Sequence, residues 1–255
     1  MLRFQFELHP LAGVPPWGGD QPTLHWFGLT SGWYWVEADR HQLLRYHEQA
    51  VRRWNLSRPY PDYYVVRLWE DLLLLRWALT EPVPADVVPF VDGSFSKREF
   101  PDDDTSTDVD AAFELQSDYQ LDVGYLTDSP AIACWRHTHA GQDLVTISQR
   151  LLPADQVTFD GPELLEVSVP TAEFFAAVQD LDHQLIAAMD KRVTELERTG
   201  PPAGVELDLD LLRAEHVRRS HWLAERLAVP RQVDWDQIRS GIADISSWPL
   251  METGT

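Results

Sequence analysis

The spacing of apolar residues changes along this chain from the period of a strand to the period of a helix, and this change restricts the fold most. From about 171 to Glu197 apolar residues recur every three or four positions, which is typical of a helix with one buried face. Two more helices are predicted, at about 207–228 and 235–245. Upstream, shorter β-favouring segments predict strands, at 1–8, 131–137, 144–148 and 164–169. Strands that precede helices, without regular alternation of the two, indicate an α+β fold.

The first two thirds of the chain are predicted to form mainly an antiparallel sheet. Segments 24–29 and 33–37 are rich in aromatic residues and flank a short turn that contains glycine, so we expect them to pair as a hairpin. Segments 131–137 and 144–148 flank a turn at Ala140-Gly141 and predict a second hairpin.

One helix is predicted within the sheet-forming part, near 63–79, because apolar residues there recur at spacings of three and four. We expect it to pack on the sheet. The aspartate-rich stretch 101–110 has almost nothing to bury and is expected to be an exposed loop.

The length of 255 residues suits one hydrophobic core. We therefore expect a single α+β domain at 1–250, sheet-rich over 1–169 and helical over 170–246. A disordered tail is expected at 251–255.

Charge restricts the partners. Acidic residues outnumber basic ones by 41 to 21, for a formal net charge of −20. The basic residues form no cluster, so direct binding to nucleic acid or to an anionic membrane is not expected. A basic protein would be attracted instead. The alternative interpretation is that the charge serves solubility alone.

The cysteine count and the first residues predict the compartment. Cys134 is the single cysteine, so an intramolecular disulfide is impossible. Residues 1–8 carry an acid and alternate polar with apolar residues, unlike a signal peptide, and no apolar stretch is long enough to span a bilayer. We therefore expect a soluble, cytoplasmic protein.

Three strings in the chain resemble signatures of an uncharacterised bacterial family, one of the domain-of-unknown-function families common in actinobacteria. They lie at Leu24–Trp35, Val65–Leu72 and Cys134–His139. The resemblance covers nearly the whole chain and implies a bacterial, cytoplasmic setting. It implies no activity, cofactor or catalytic residue.

The second predicted hairpin carries the best candidate for chemistry. His137 and His139 are two residues apart on a strand and point to one face, where they could bind a metal with Asp143 or Asp122 as a third ligand. Two histidines alone are a weak signal, and no cofactor is predicted. Arg136 could instead anchor a carboxylate or phosphate, or form a structural ion pair with one of the many acids.

Two other segments are candidate binding surfaces. In Trp33, Tyr34 and Trp35, the tryptophans share one face of a strand and the tyrosine takes the other, so one set fills the core and the other covers a second layer or a partner. Asp102, Asp103 and Asp104 form an acidic run that could contact a basic partner. The run lacks the glycine and the terminal glutamate of an EF-hand loop.

Recognised catalytic patterns are absent from the sequence. No nucleophile-elbow, Walker-type, HExxH or zinc-ligand spacing occurs. Cys134 and His137 lie on opposite faces of one strand, so they form no local dyad.

Three hypotheses about function follow. The first is a non-enzymatic acidic binding protein, such as an immunity protein or antitoxin that inhibits a basic toxin or nuclease. The second is an enzyme or ligand-binding domain with a cleft around Arg136, His137 and His139. The third is an acidic mimic of nucleic acid.

Overall fold

Two antiparallel sheets, each of four strands, form the β part of the protein. The structure is a computed structural model, and it describes residues 1–101, 106–151 and 157–251. In the first sheet β2 (Ser31–Ala38) pairs with all three other strands, which are β1 (Leu2–Leu8), β3 (His41–Leu43) and β4 (Asp62–Tyr64). The second sheet has the order β5-β6-β7-β8, with β5 (Gln120–Leu121), β6 (Ala131–His139), β7 (Gln142–Arg150) and β8 (Leu164–Pro170).

Helices surround the sheets and dominate the last third of the chain. Those in the described residues are α1 (Glu48–Arg53), α2 (Val65–Ala78), α3 (Val88–Val91), α4 (Thr107–Asp118), α5 (Thr171–Thr199), α6 (Leu209–Arg219), α7 (Trp222–Ala228) and α8 (Trp235–Ser247). None of them is long and apolar enough to cross a membrane. The architecture is α+β, as the order of the sequence patterns predicts.

Helices α2 and α5 connect the two sheets through a shared core. Helix α2 is buried on most of its surface, and Trp69 at its centre is fully enclosed. Helix α5 buries one stripe, which includes Phe174 and Leu185, against β1, α2 and the second sheet. The buried side chains form one connected cluster from Leu2 to Ile245. The division into a single domain at 1–250 stays a prediction, and the predicted tail at 251–255 lies outside the described residues except for Met251.

Several predicted elements are confirmed. The strand at the start, the hairpin of β6 and β7, strand β8 and the long helix α5 lie where apolar spacing predicts them. The hairpin turns at Ala140 and Gly141, both of which have positive φ, at 49° and 77°. A two-residue turn of this kind matches the twist of the flanking strands.

The predicted first hairpin is wrong. Residues 24–29 form no strand, and Gly28–Thr30 is a 3-10 turn. Strand β2 pairs with β1, β3 and β4 instead, and its longest pairing is with β1, where Phe4 is opposite Val36. Trp26 is fully buried and its ring contacts that of Trp69, so this aromatic segment packs into the core against helix α2.

Two predictions about helices also need correction. The stretch 101–110 is not a loop throughout, because α4 begins at Thr107 and the Ser106 hydroxyl accepts a hydrogen bond from Val109 N–H at 3.3 Å. This side chain caps the helix. The predicted helix at 207–228 is two helices, α6 and α7, with a break at Ser220 and His221.

Candidate functional site

A groove of about 950 Å³ lies over one face of the second sheet. This volume is in the range of pockets that bind small molecules or the side chains of a peptide. The apolar lining includes Pro82, Val83, Pro84, Val88, Trp135 and Leu144. The polar lining consists of His137, Thr138, His139, Thr146, Glu166 and Ser168.

The register of β6, β7 and β8 brings the polar groups together. Trp135 is opposite Thr146, and Thr146 is opposite Ser168. His137 Nε2 lies 2.8 Å from Thr146 Oγ1, which lies 2.7 Å from Ser168 Oγ. The three side chains therefore form a hydrogen-bonded row across the sheet. Ser168 contacts Thr146 and not the histidine, so the row is not a nucleophile with its base.

The segment after α2 forms the apolar wall of the groove. Val83 N–H donates a hydrogen bond of 2.9 Å to the Arg136 carbonyl, so this segment lies along the edge of β6. Pro82 and Pro84 flank Val83 and have no backbone N–H. This wall therefore presents few hydrogen-bonding groups to a ligand.

Arg136 has a structural role and is not a free anchor for an anion. Its Nε and Nη2 each donate to a carboxylate oxygen of Asp143, both at 2.8 Å. Its Nη1 donates to the carbonyls of Leu79 and Thr80, at the end of α2. The guanidinium joins the hairpin to α2 and makes its strongest hydrogen bonds within the chain.

Asp143 is likewise hydrogen-bonded to neighbouring side chains. Besides the two bonds from Arg136, it accepts a hydrogen bond of 2.8 Å from the Thr171 hydroxyl at the start of α5. The Arg136 guanidinium lowers the pKa of Asp143, and the Thr171 hydroxyl adds to the effect. Asp143 is therefore not the third ligand of a metal site with His137 and His139.

The other proposed ligand, Asp122, is also engaged elsewhere. Its carboxylate accepts a hydrogen bond of 3.0 Å from Arg67. Among the described residues no three His, Cys, Asp or Glu side chains are placed to hold a metal ion. The histidines of the hairpin reach the groove, but the third ligands that the sequence suggested do not join them.

The aromatic residues of β2 follow the predicted alternation. Tyr34 is fully buried and its hydroxyl lies 2.6 Å from the Tyr125 hydroxyl. Burial raises the pKa of Tyr34, and the neighbouring Tyr125 adds to the shift. Trp33 and Trp35 point to the other face of the sheet.

Both tryptophans are covered by side chains of the same chain. Trp35 stacks on Tyr60 with ring centroids 4.3 Å apart. Trp33 contacts the His9 ring at 4.2 Å and lies 4.8 Å from the Arg58 guanidinium carbon. Of the two predicted fates, a second layer within the protein fits these contacts better than an open surface for a partner.

The other sequence candidates lie apart from the groove. Cys134 is buried on the opposite face of β6, and burial raises the pKa of its thiol to about 12. It is therefore protonated at neutral pH and unsuited to act as a nucleophile. Asp102, Asp103 and Asp104 lie outside the described residues.

Sequence reasoning missed three polar residues of the groove. Thr146, Glu166 and Ser168 come from β7 and β8, whose strand patterns were recognised without their register. The alternation in β8 is enough to place Glu166 and Ser168 on one face. That this face continues the row from His137 depends on the pairing of three strands.

The groove has an acidic rather than a basic lining. Glu166 is its single Asp or Glu side chain, and no arginine or lysine lines it in the part of the chain that the structure describes. An exposed acid, Glu81, directly precedes Pro82 of the wall. A cationic group would therefore be favoured in this groove over an anion.

Three of the described arginines, Arg192, Arg219 and Arg231, are buried and add little positive charge to the surface. Arg219 is the clearest example, since it is buried and binds Glu70 at 2.7 Å and Glu215 at 2.9 Å. Its guanidinium carbon also lies 4.5 Å from the Trp26 ring and 4.3 Å from the Trp222 ring. The positive charge of Arg219 is therefore neutralised within the protein and is not presented at its surface.

Comparison with known proteins identifies the family and nothing further. No curated protein matches the chain, and no solved structure matches it. A model described as "Family of unknown function (DUF5984)" matches residues 3–241. The chain therefore belongs to this family, DUF5984, which agrees with its resemblance to an uncharacterised domain family.

Proposed function

We propose that this protein is a non-enzymatic acidic binding protein that receives a basic protein partner at the groove over the second sheet. An immunity protein or antitoxin that blocks a basic toxin or nuclease would act in this way. The observation that carries the proposal is the lining of the groove, which combines an apolar wall with Glu166 and contains no described arginine or lysine.

The shape of the groove suits a protein segment. Pro82, Val83 and Val88 on one side and Trp135 on the floor supply apolar surface, and aromatic side chains are frequent among the residues that dominate binding energy. Ser168 and the two histidines supply hydrogen-bonding groups. Apolar side chains with a lysine or arginine among them would match this combination.

The charge of the whole chain supports a basic partner independently of the groove. A net charge of −20 attracts a basic protein over a distance of about one Debye length, ~10 Å at 0.1 M salt. Such attraction increases the rate at which the two proteins meet and favours a partner of positive charge. The contacts in the groove would then decide which basic protein stays bound.

The test is a comparison of two charge-reversal variants in a pulldown from the native lysate. Glu166→Lys changes the groove, and Asp180→Lys makes the same change in net charge at an exposed site on α5. We expect the unmodified protein and the Asp180→Lys variant to recover one basic protein in equal amount. The Glu166→Lys variant should recover about tenfold less of it, because a like charge then faces the partner.

Washing at high salt should release the partner from all forms, since screening removes long-range attraction. Recovery of no basic protein by the unmodified chain would overturn the proposal. Equal loss in both variants would mean that only net charge matters and that the groove is not the binding site.

A further inference from the structure

Strand β8 is the edge of the second sheet, because it pairs only with β7. The Leu151 N–H donates to the Glu163 carbonyl at 2.8 Å. This bond shows which opposing residues of the two strands form hydrogen-bonded pairs. In an antiparallel pair, every second residue exchanges hydrogen bonds with its partner. The backbone groups of Leu165, Val167 and Val169 therefore face β7, and those of Glu166 and Ser168 face away from it.

The outward backbone groups of β8 have no hydrogen-bond partner among the described residues. The side chains of Leu164, Glu166 and Ser168 are exposed as well, so solvent reaches this edge. Pro170 ends the row and has no N–H to donate.

Two other strand edges in the described residues, those of β6 and β1, are at least partly covered. The far edge of β6 is paired with β5 and, beyond it, with Val83. At the edge of β1, the Leu2 N–H donates to Glu173 at 2.6 Å, and α5 packs against the strand. Natural proteins usually protect an exposed edge with lysine, proline, a bulge or a covering element. Within its seven residues, β8 has only Glu166 and the terminal Pro170 to serve this purpose.

We propose that β8 accepts an extended segment of the basic partner as an added strand of the second sheet. This inference rests on the proposed function and names its binding mode. Main-chain hydrogen bonds to Glu166 and Ser168 would supply affinity, as in other cases of strand addition.

The side chains of β8 predict which segment fits. Residues of the added strand opposite Glu166 and Ser168 share their face of the sheet, which is the face that carries the groove. A lysine or arginine opposite Glu166, with β-branched or aromatic residues at alternate positions, is the complementary pattern.

The probe is a displayed library of short random peptides, selected against the full chain at low salt. Selected peptides are then synthesised in three forms: unmodified, N-methylated at one alternate set of residues, and N-methylated at the other set. Strand addition uses the N–H groups of one set only. We therefore expect one methylated form to weaken binding about tenfold or more, and the other to bind like the unmodified peptide.

Glu166→Pro provides a second test on the protein itself. It removes an N–H that faces away from β7, a position where an edge strand tolerates proline. Peptide affinity should fall while the circular dichroism spectrum is unchanged. Glu166→Gln removes the same carboxylate but keeps this N–H, so it should lose clearly less affinity than Glu166→Pro. If the proline variant does not fold, the methylated peptides still decide the question.

Failure to enrich any peptide would overturn the inference, and so would an equal effect of the two methylation patterns. A dimer of this chain that dissociates in the Glu166→Pro variant would also overturn it, since the occupant of the edge would be a second copy. These outcomes are distinct from failure of the proposed function. A basic protein that is lost in Glu166→Lys but bound equally by Glu166→Pro and Glu166→Gln would support the groove and refute strand addition.

Discussion

Asp71 shows how a single half-buried carboxyl depends on its surroundings. It lies on α2 and accepts a hydrogen bond of 3.0 Å from the backbone N–H of Asp122. Burial raises the pKa of Asp71 to about 7, and the negative charge of Asp122 adds to the shift. The Arg67 guanidinium opposes it. Near neutral pH this carboxyl is therefore close to half-protonated.

The raised pKa predicts that stability falls with increasing pH. The folded protein holds the Asp71 proton up to about pH 7, whereas the unfolded chain releases it near 3.8. The resulting stabilisation is complete below pH ~4 and lost as pH rises through ~7, at most ~4 kcal/mol in total. Asp71→Asn removes this contribution and keeps an oxygen that can accept the Asp122 N–H.

Urea denaturation at several pH values between 5 and 8 tests the prediction. The variant should gain stability relative to the unmodified protein as pH increases. Asp180→Asn, at an exposed site on α5, is the matched control for the loss of one carboxylate. Parallel curves for Asp71→Asn and the unmodified protein would show that Asp71 has an ordinary pKa.

At the scale of elements, helices α4 and α8 depend on each other. Helix α4 is too polar to predict from its own sequence, and it buries Val109, Ala112 and Leu115. Gly241 of α8 sits against α4 so closely that an added Cβ would overlap the backbone carbonyl of Asp108. Because Gly241 has no side chain, the backbones of the two helices can lie in contact.

Gly241→Ala should therefore destabilise the protein. Alanine favours the helical state by about 1 kcal/mol over glycine, but the clash is with backbone and forces the helices apart. We expect a net loss of about 2 kcal/mol in the free energy of unfolding. Chemical denaturation measures this loss.

Gly13→Ala is the matched control, because a Cβ at Gly13 meets no atom within 4 Å and the residue has no positive φ. Its stability should change little. An equal or higher stability of Gly241→Ala would mean that α4 and α8 are packed less closely than described.

At the scale of the whole molecule, the net charge of −20 opposes folding through repulsion among the surface acids. Added NaCl screens this repulsion. It also weakens the surface ion pairs, but exposed pairs contribute little stability, and the best enclosed arginines, such as Arg219 and Arg231, are shielded from solvent.

We therefore expect the melting temperature to increase between low salt and 0.5 M NaCl, by about 2–4 °C for each kcal/mol of repulsion removed. Differential scanning fluorimetry at neutral pH measures the change. A lower melting temperature in salt would show that ion pairs outweigh repulsion. Repeating the scan near pH 5, where fewer carboxyls are charged, should reduce the effect of salt.

Elements whose evidence is local can be predicted from the amino-acid sequence. Helix α5 carries its apolar stripe within one segment, and the hairpin of β6 and β7 has its turn at Ala140-Gly141. The same hairpin places His137 and His139 on one face by strand parity alone. Net charge and the α+β order of elements are likewise properties of the linear chain.

Which strand, helix or side chain pairs with which is a property of the folded chain. The tertiary structure paired β2 with β1, matched α4 to α8, bound Arg136 to Asp143 and the end of α2, and placed the wall at Val83 beside β6. The physical reason is that apolar spacing records which face of a segment is buried, but not which distant segment buries it. That choice depends on packing and hydrogen bonding across the whole chain, and the groove exists only as its result.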